Sequence, residues 1–187
     1  IYWQRPFRND LWLKRSAGDR FDSGTLATTA DIVIEGREMR FYYGAYSSGA
    51  IGGGNDITGD QQKSGVGLAT LTLDRFAGIR SHPEEPTAKI KSPPDIGQIT
   101  LKPLDFTKRV DLFVNANAVG GVVQGELLDE SGFRVPGFDK ANSVSLRKDA
   151  VRQRLAWKGR KLTELPPGRF HLRLHLQQAE VFAITLR

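Results

Sequence analysis

The stretch DIVIEGREMRFYYGAY, residues 31–46, decides the fold. Apolar and polar residues alternate on both sides of Glu35-Gly36, which predicts two short β-strands joined by a tight turn. A second apolar run, GVGLATLTLDRFAGI at residues 65–79, follows a long Gly-rich segment. These runs form either a self-contained sheet or one repeat of a larger architecture.

The same two-residue period recurs along most of the chain, so we predict an all-β protein. Clusters of Gly, Pro, Asp and Ser mark turns between the strands. The predicted strands are 31–35, 39–46, 66–73, 77–81, 99–106, 110–116, 122–128, 143–147, 151–157, 169–177 and 181–186.

A domain boundary is predicted in SHPEEPTAKIKSPPD, residues 81–95, which holds four of the nine prolines and several charges. The prediction is a terminal region at 1–81, a Pro-rich linker at 82–95 and a jelly-roll-like β-sandwich at 96–187. Four consecutive strands before the linker are what one antiparallel blade of a β-propeller contains. The alternative is that these strands extend the sandwich.

Composition excludes several classes of site. The chain has 187 residues, of which 39% are hydrophobic, so it can bury a core. No apolar run approaches the roughly 20 residues of a membrane helix. With no cysteine and three histidines, disulfides and thiol chemistry are excluded and no metal or cofactor is expected. Because the sequence begins with Ile, we expect it to be a piece of a longer chain.

Two histidines four residues apart lie in RFHLRLHLQ, residues 169–177. On a strand they are separated by roughly 13 Å, which one metal ion cannot bridge. The strict alternation predicts that Phe170, Leu172, Leu174 and Leu176 share the apolar face of the strand, while His171, Arg173 and His175 lie on a solvated face. Trp157, which ends the alternating strand 151–157, is predicted to pack in the sandwich.

The order of several motifs resembles a known family. RFYYGAY, a long loop and then GVGLATLTLDRFAGI resemble the last blade of five-bladed propeller glycoside hydrolases of families 32 and 43. The upstream YWQRPFRNDLWL and GDRFDSG fit the same pattern. LKPLDF, LFVNANAVGGVVQGELLDESGFRVPGF, VRQRLAWKG and RFHLRLHLQQAEVFAITL resemble the C-terminal sandwich attached to such propellers, often in planctomycete proteins.

The resemblance implies a secreted or periplasmic carbohydrate-active protein, whose catalytic carboxylates come mainly from earlier blades. Trp-Met-Asn-Asp, Arg-Asp-Pro and Glu-Cys, the motifs that carry them, are absent from this sequence. No catalytic residue is therefore assigned, and whether the chain belongs to an enzyme stays open. The sandwich is expected to be mainly a structural accessory module that can also bind glycan. Upstream blades or another copy of the chain are the expected protein partners.

Four residues of the N-terminal region are candidates for contacting a sugar. Arg5 could hydrogen-bond a hydroxyl or carboxylate, and Asp22 is the carboxylate in a segment that could face a propeller funnel. Tyr42 and Tyr43 could stack on a sugar ring, although neighbours on a strand point to opposite faces. Asp22 could equally serve in a local turn.

The chain carries 27 Lys and Arg against 21 Asp and Glu, a net charge of +6. This charge is most concentrated in RKDAVRQRLAWKGRK, residues 147–161. The alternative function is therefore a non-catalytic module that binds an acidic polysaccharide. Its binding residues would be Arg147, Lys148, Arg152, Arg154, Lys158, Arg160 and Lys161. No nucleic-acid-binding motif accompanies them, so nucleic acid is not an expected partner, and neither is a membrane.

Overall fold

The structure is a computed structural model that describes residues 11–47, 63–81, 95–108 and 111–187. These ranges contain antiparallel β-strands and one 3-10 helical turn, Leu162–Glu164, so the predicted all-β class is confirmed. The chain divides into two compact units, Ile1–Phe76 and Ala77–Arg187.

The sheet of the first unit is built around one long strand. Its strands are β1 (Thr25–Thr28), β2 (Val33–Glu35), β3 (Glu38–Tyr46) and β4 (Ser64–Thr72). β4 pairs with β3 along its whole length, while β1 and β2 follow one another along the opposite side of β3. The β2–β3 turn has Gly36 at φ +61°, a conformation that two-residue hairpin loops require and that glycine adopts without strain.

One face of this sheet is buried. Met39, Phe41, Tyr43 and Ala45 alternate along β3 and are all buried. The Phe41 ring lies 4.6 Å from that of Trp12 and 5.6 Å from that of Phe76. Segments before and after the sheet therefore supply the aromatic rings that cover it.

Two glycines of β4 make room for aromatic rings on the same face. Gly67 lies directly opposite Tyr43 in the register, and a Cβ atom at Gly67 would overlap the Tyr43 ring. A Cβ atom at Gly65 would likewise overlap Phe21. The rings of Phe21 and Tyr43 are stacked, with centroids 6.5 Å apart and planes at 8°. The glycines in GVG are thus explained by close approach of these rings.

The opposite face of the sheet is exposed and partly apolar. The register places Val33 on this face beside Arg40, and Tyr42 beside Leu68. Val66 is 77% exposed, and Val33, Tyr42 and Leu68 are also exposed. Apolar side chains therefore lie on both faces of this sheet.

The second unit contains two sheets. β10 (Asp149–Arg154), β8 (Leu112–Asn117), β12 (Glu180–Leu186) and β5 (Ile79–Arg80) follow one another in the first sheet. In the second sheet β11 (Arg169–Gln177) is central. It pairs on one side with β6 (Ile96–Thr100) and β7 (Leu104–Asp105), and on the other with β9 (Val122–Leu128).

Both sheets contribute to one hydrophobic core. Leu172 and Leu174 of β11 and Leu112 and Val114 of β8 are fully buried members of the same cluster. Each such side chain contributes about 1.5–3 kcal/mol by its burial. Trp157 is buried in this cluster and its Nε1–H donates to the Gly125 carbonyl at 3.0 Å, as expected of a core indole. The predicted packing of Trp157 and of the apolar side of β11 is confirmed.

The structure differs from the predicted organisation in several places, one of which is β1, a strand that was not predicted. Ile79–Arg80 pairs with β12, so this strand belongs to the second unit, and the first unit ends at Phe76 rather than at residue 81. The predicted strand 143–147 makes only isolated bridges, and 99–106 is interrupted between β6 and β7. Most of the predicted linker, 82–94, lies outside the described residues.

Candidate functional site

The structure brings two of the sugar-contact candidates together and separates a third. The Tyr43 hydroxyl donates to Asp22 Oδ2 at 3.2 Å, and both residues are buried. Tyr42 lies on the opposite, exposed face of β3. Arg5 lies outside the described residues. Asp22 and Tyr43 therefore form an internal pair beneath the sheet, and of the three candidates that the structure describes Tyr42 has the exposed side chain.

The pair is held in one protonation state. Hydrogen bonding from Ser16 lowers the pKa of Asp22, and the hydroxyl of Tyr43 and the charge of Arg20 add to this effect. Burial, together with the neighbouring Asp22, raises the pKa of Tyr43. The ionised Asp22 thus accepts a hydrogen bond from the neutral phenol of Tyr43, and this hydrogen bond holds the Tyr43 ring in place.

The basic residues of 147–161 are partly engaged within the second unit. Arg154 pairs with Asp111 at 2.6 Å and Arg160 with Glu164 at 3.2 Å. Arg147 donates to the Gly121 carbonyl at 3.2 Å, and the Arg152 guanidinium lies 6.0 Å from the centre of the Phe113 ring. Lys148, Lys158 and Lys161 are exposed.

A different cluster, which sequence reasoning missed, lies on the second sheet of the same unit. Glu126 of β9 is only 1% exposed, and the register places it opposite Arg173 of β11. Arg173 Nη1 donates to Glu126 Oε1 at 3.0 Å, and Arg134 Nε lies 3.2 Å from Oε2. His175 Nε2 lies 3.1 Å from Oε1, off the direction that a hydrogen bond requires.

The segment 129–142 folds back against β9 and closes over this cluster. The Asp129 carboxylate accepts from the backbone N–H groups of Ser131 and Phe133, both at 2.9 Å, which fixes the turn after β9. Leu127 then exchanges backbone hydrogen bonds with this segment, donating to Phe138 at 2.9 Å and accepting from Val135 at 3.0 Å. This backbone pairing positions Arg134 beside Glu126.

The result corrects the expectation for the polar side of β11. That side was predicted to be solvated, yet the His175 side chain is 17% exposed. The reason is that segment 129–142 covers part of this side of β11. His171 is also engaged, with its Nδ1 2.9 Å from the Leu101 carbonyl.

Burial and charge set the protonation of the two central groups. Burial opposes ionisation of Glu126, but contacts with His175 and Arg173 and the charge of Arg134 outweigh it and lower the pKa of Glu126. Burial also lowers the pKa of His175, more than Glu126 raises it. Near neutral pH the cluster therefore holds an ionised Glu126 and a neutral His175.

A cleft of about 700 Å³ opens at this cluster. It is lined by Gln124, Glu126, Arg134, Val135, Pro136, Asp139, Lys140, Ala141 and His175. Charged and amide side chains thus face a concave surface with a short apolar wall, on strands anchored in the core. The volume of the cleft lies within the roughly 300–1,000 Å³ of ligand pockets.

The described part of the chain contains no group of three or more His, Cys, Asp or Glu side chains placed to hold a metal ion. Within the same ranges no helix is long and apolar enough to cross a lipid bilayer. Comparison with known proteins gives no identification, since no family model, curated protein or solved structure matches the chain.

Proposed function

We propose that this chain is the C-terminal part of a secreted or periplasmic, glycoside hydrolase-like propeller protein, and that it is an accessory rather than a catalytic part. In this proposal the first unit is the terminal blade. The second unit is a β-sandwich that stabilises the protein and binds glycan. The observation that carries the glycan-binding role is the Glu126 cleft.

The first unit supports the assignment as a blade. Its strands form an antiparallel sheet whose second face carries exposed Val33, Tyr42, Val66 and Leu68. A propeller blade covers such a face with the neighbouring blade. The second unit supports the assignment as a sandwich, because two sheets contribute to one core.

The carboxylates support a non-catalytic role. A glycosidase needs two carboxyl groups roughly 5–9.5 Å apart beside the scissile bond. The two buried carboxylates of the described residues, Asp22 and Glu126, belong to different units, and each is held by its own partners. Asp139, the second carboxylate that lines the Glu126 cleft, is engaged by Asn142.

Binding to a panel of polysaccharides tests this function. We expect the full chain to bind at least one member of a panel of fructans, arabinans and uronate polymers, without releasing reducing sugar. Ala141→Trp, which places an indole in the cleft, should abolish binding. Val144→Trp is the matched control, because Val144 is exposed and does not line the cleft. Absence of binding to the whole panel would reject the proposal.

A second candidate function is binding of an acidic polysaccharide by the basic segment 147–161. The exposed Lys148, Lys158 and Lys161 favour it, since the described contacts include no ion pair for these three. Such binding depends on charge and weakens steeply as salt screens it. Affinity that is equal at low and high ionic strength would exclude this candidate.

A further inference from the structure

The two carboxylates of the Glu126 cleft are engaged by partners within the protein. Glu126 Oε1 is engaged by Arg173, and Oε2 by Arg134. Asp139 accepts from the Asn142 backbone N–H at 3.1 Å and from Asn142 Nδ2 at 2.9 Å. Each of these carboxylate oxygens therefore already has a partner within the protein.

The cations that line the cleft are more open. The Arg134 side chain is 70% exposed, and its contact with Glu126 is made through Nε, which leaves the two terminal NH₂ groups towards solvent. Lys140 is exposed, and no ion pair of its ammonium group is found among the described residues. A guanidinium end and an ammonium group are the donors that bind carboxylate and sulfate oxygens.

The local charge also favours an anion. Arg134, Lys140 and Arg173 carry three positive charges against the two of Glu126 and Asp139. The buried Glu126 is neutralised by Arg173, so its repulsion of an anion is reduced. Its contact with Arg134 Nε meanwhile orients the guanidinium, which lowers the entropy cost of binding a ligand.

We propose that the ligand of the Glu126 cleft is the anionic group of an acidic glycan, a uronate carboxylate or a sulfate ester, bound by Arg134 and Lys140. This inference rests on the proposed glycan-binding function. Glu126 is a positioning residue that holds Arg134. The site differs from the basic segment 147–161, which does not line the cleft.

Calorimetric titration of the full chain with three probes tests the assignment. The probes are tetragalacturonate, its methyl ester, which is a neutral analogue of nearly the same shape, and a sulfated tetrasaccharide. We expect the acid or the sulfated probe to bind at least about tenfold more tightly than the ester, because a charge-assisted hydrogen bond is about twice as strong as a neutral one. The stronger of the two anionic probes identifies the source of the anion.

Two variants and a matched control locate the site. Arg134→Gln and Lys140→Gln should each weaken anion binding about tenfold. Lys102→Gln removes the same charge from an exposed residue outside both the cleft and segment 147–161, and should leave the affinity within about twofold. The Lys140 side chain makes no described contact that stabilises the fold. Lys140→Gln therefore still tests the site if Arg134→Gln loosens segment 129–142.

Each other result overturns the inference. Equal binding of acid and ester would reject an anionic ligand while retaining the glycan-binding function. Loss of affinity in Lys158→Gln as large as in Lys140→Gln would move the site to segment 147–161. Failure of all three probes, when a neutral polysaccharide of the panel still binds, would reject the ligand class alone.

Discussion

Replacing Glu126 by Ala should destabilise the second unit far more than the same replacement of an exposed glutamate would. The carboxylate is 1% exposed and lies within 3.2 Å of side-chain nitrogens of Arg173, Arg134 and His175. Its removal leaves the Arg173 guanidinium, itself only 25% exposed, without its counter-charge.

The size of the effect follows from these exposures. Breaking a buried ion pair by removing one partner costs about 3–5 kcal/mol. Arg134 is largely exposed, and its pair with Glu126 adds at most about 1 kcal/mol. Because water still reaches Arg173, we take the lower end of the range, about 3 kcal/mol. For a domain of this size, that corresponds to a fall in Tm of roughly 10 °C.

The assay can report on this unit alone. Trp157 is the one tryptophan of residues 77–187, the others being Trp3 and Trp12. In a Trp3→Phe, Trp12→Phe background, fluorescence during urea unfolding therefore follows the second unit. The control is Arg154→Ala, which removes an exposed pair with Asp111 and should cost less than about 1 kcal/mol. If Glu126→Ala is no less stable than Arg154→Ala, the cluster is not the buried ion-pair site described here.

Two further predictions concern pH and packing. Because the pKa of His175 is lowered in the folded protein, the unfolded chain binds a proton at this histidine at a higher pH than the folded protein does. The free energy of unfolding should therefore decline as pH falls below about 6.5. The lowered pKa of Glu126 adds a second decline below about 4.5. Urea midpoints from pH 8 to pH 4 measure this, and a His175→Gln variant that keeps the full decline near pH 6 would refute the assignment. Gly67→Ala should destabilise the first unit by about 1–3 kcal/mol because its Cβ overlaps the Tyr43 ring. Gly44→Ala, where a Cβ meets no atom within 4 Å, is the control in thermal unfolding, and equal stability of the two variants would contradict the packing.

Strand positions were predictable from the sequence because alternation is a local signal. The apolar side of β11 and the burial of Trp157 followed from the two-residue period alone. The strand that pairs with Ile79–Arg80 cannot be predicted from the local sequence, because its partner β12 lies about 100 positions further along the chain.

The Glu126 cluster could not be predicted for a related reason. Glu126 faces Arg173 only through the register of β9 with β11, and it is buried only because segment 129–142 folds back through Leu127. The residues around Glu126 in the sequence have the pattern of an ordinary strand followed by a turn. The available signal was the polar run Gln124 and Glu126 on one side of a strand that is otherwise apolar.

The close packing of the Tyr43 ring against Gly67 has an evolutionary consequence. The ring from one strand occupies the space that a side chain on the other strand would take, so neither position can change size by itself. Homologous sequences should show the two sites covarying, with a bulkier residue at one matched by a smaller residue at the other. That correlated pair would help to verify the alignment of distant members of this protein's lineage.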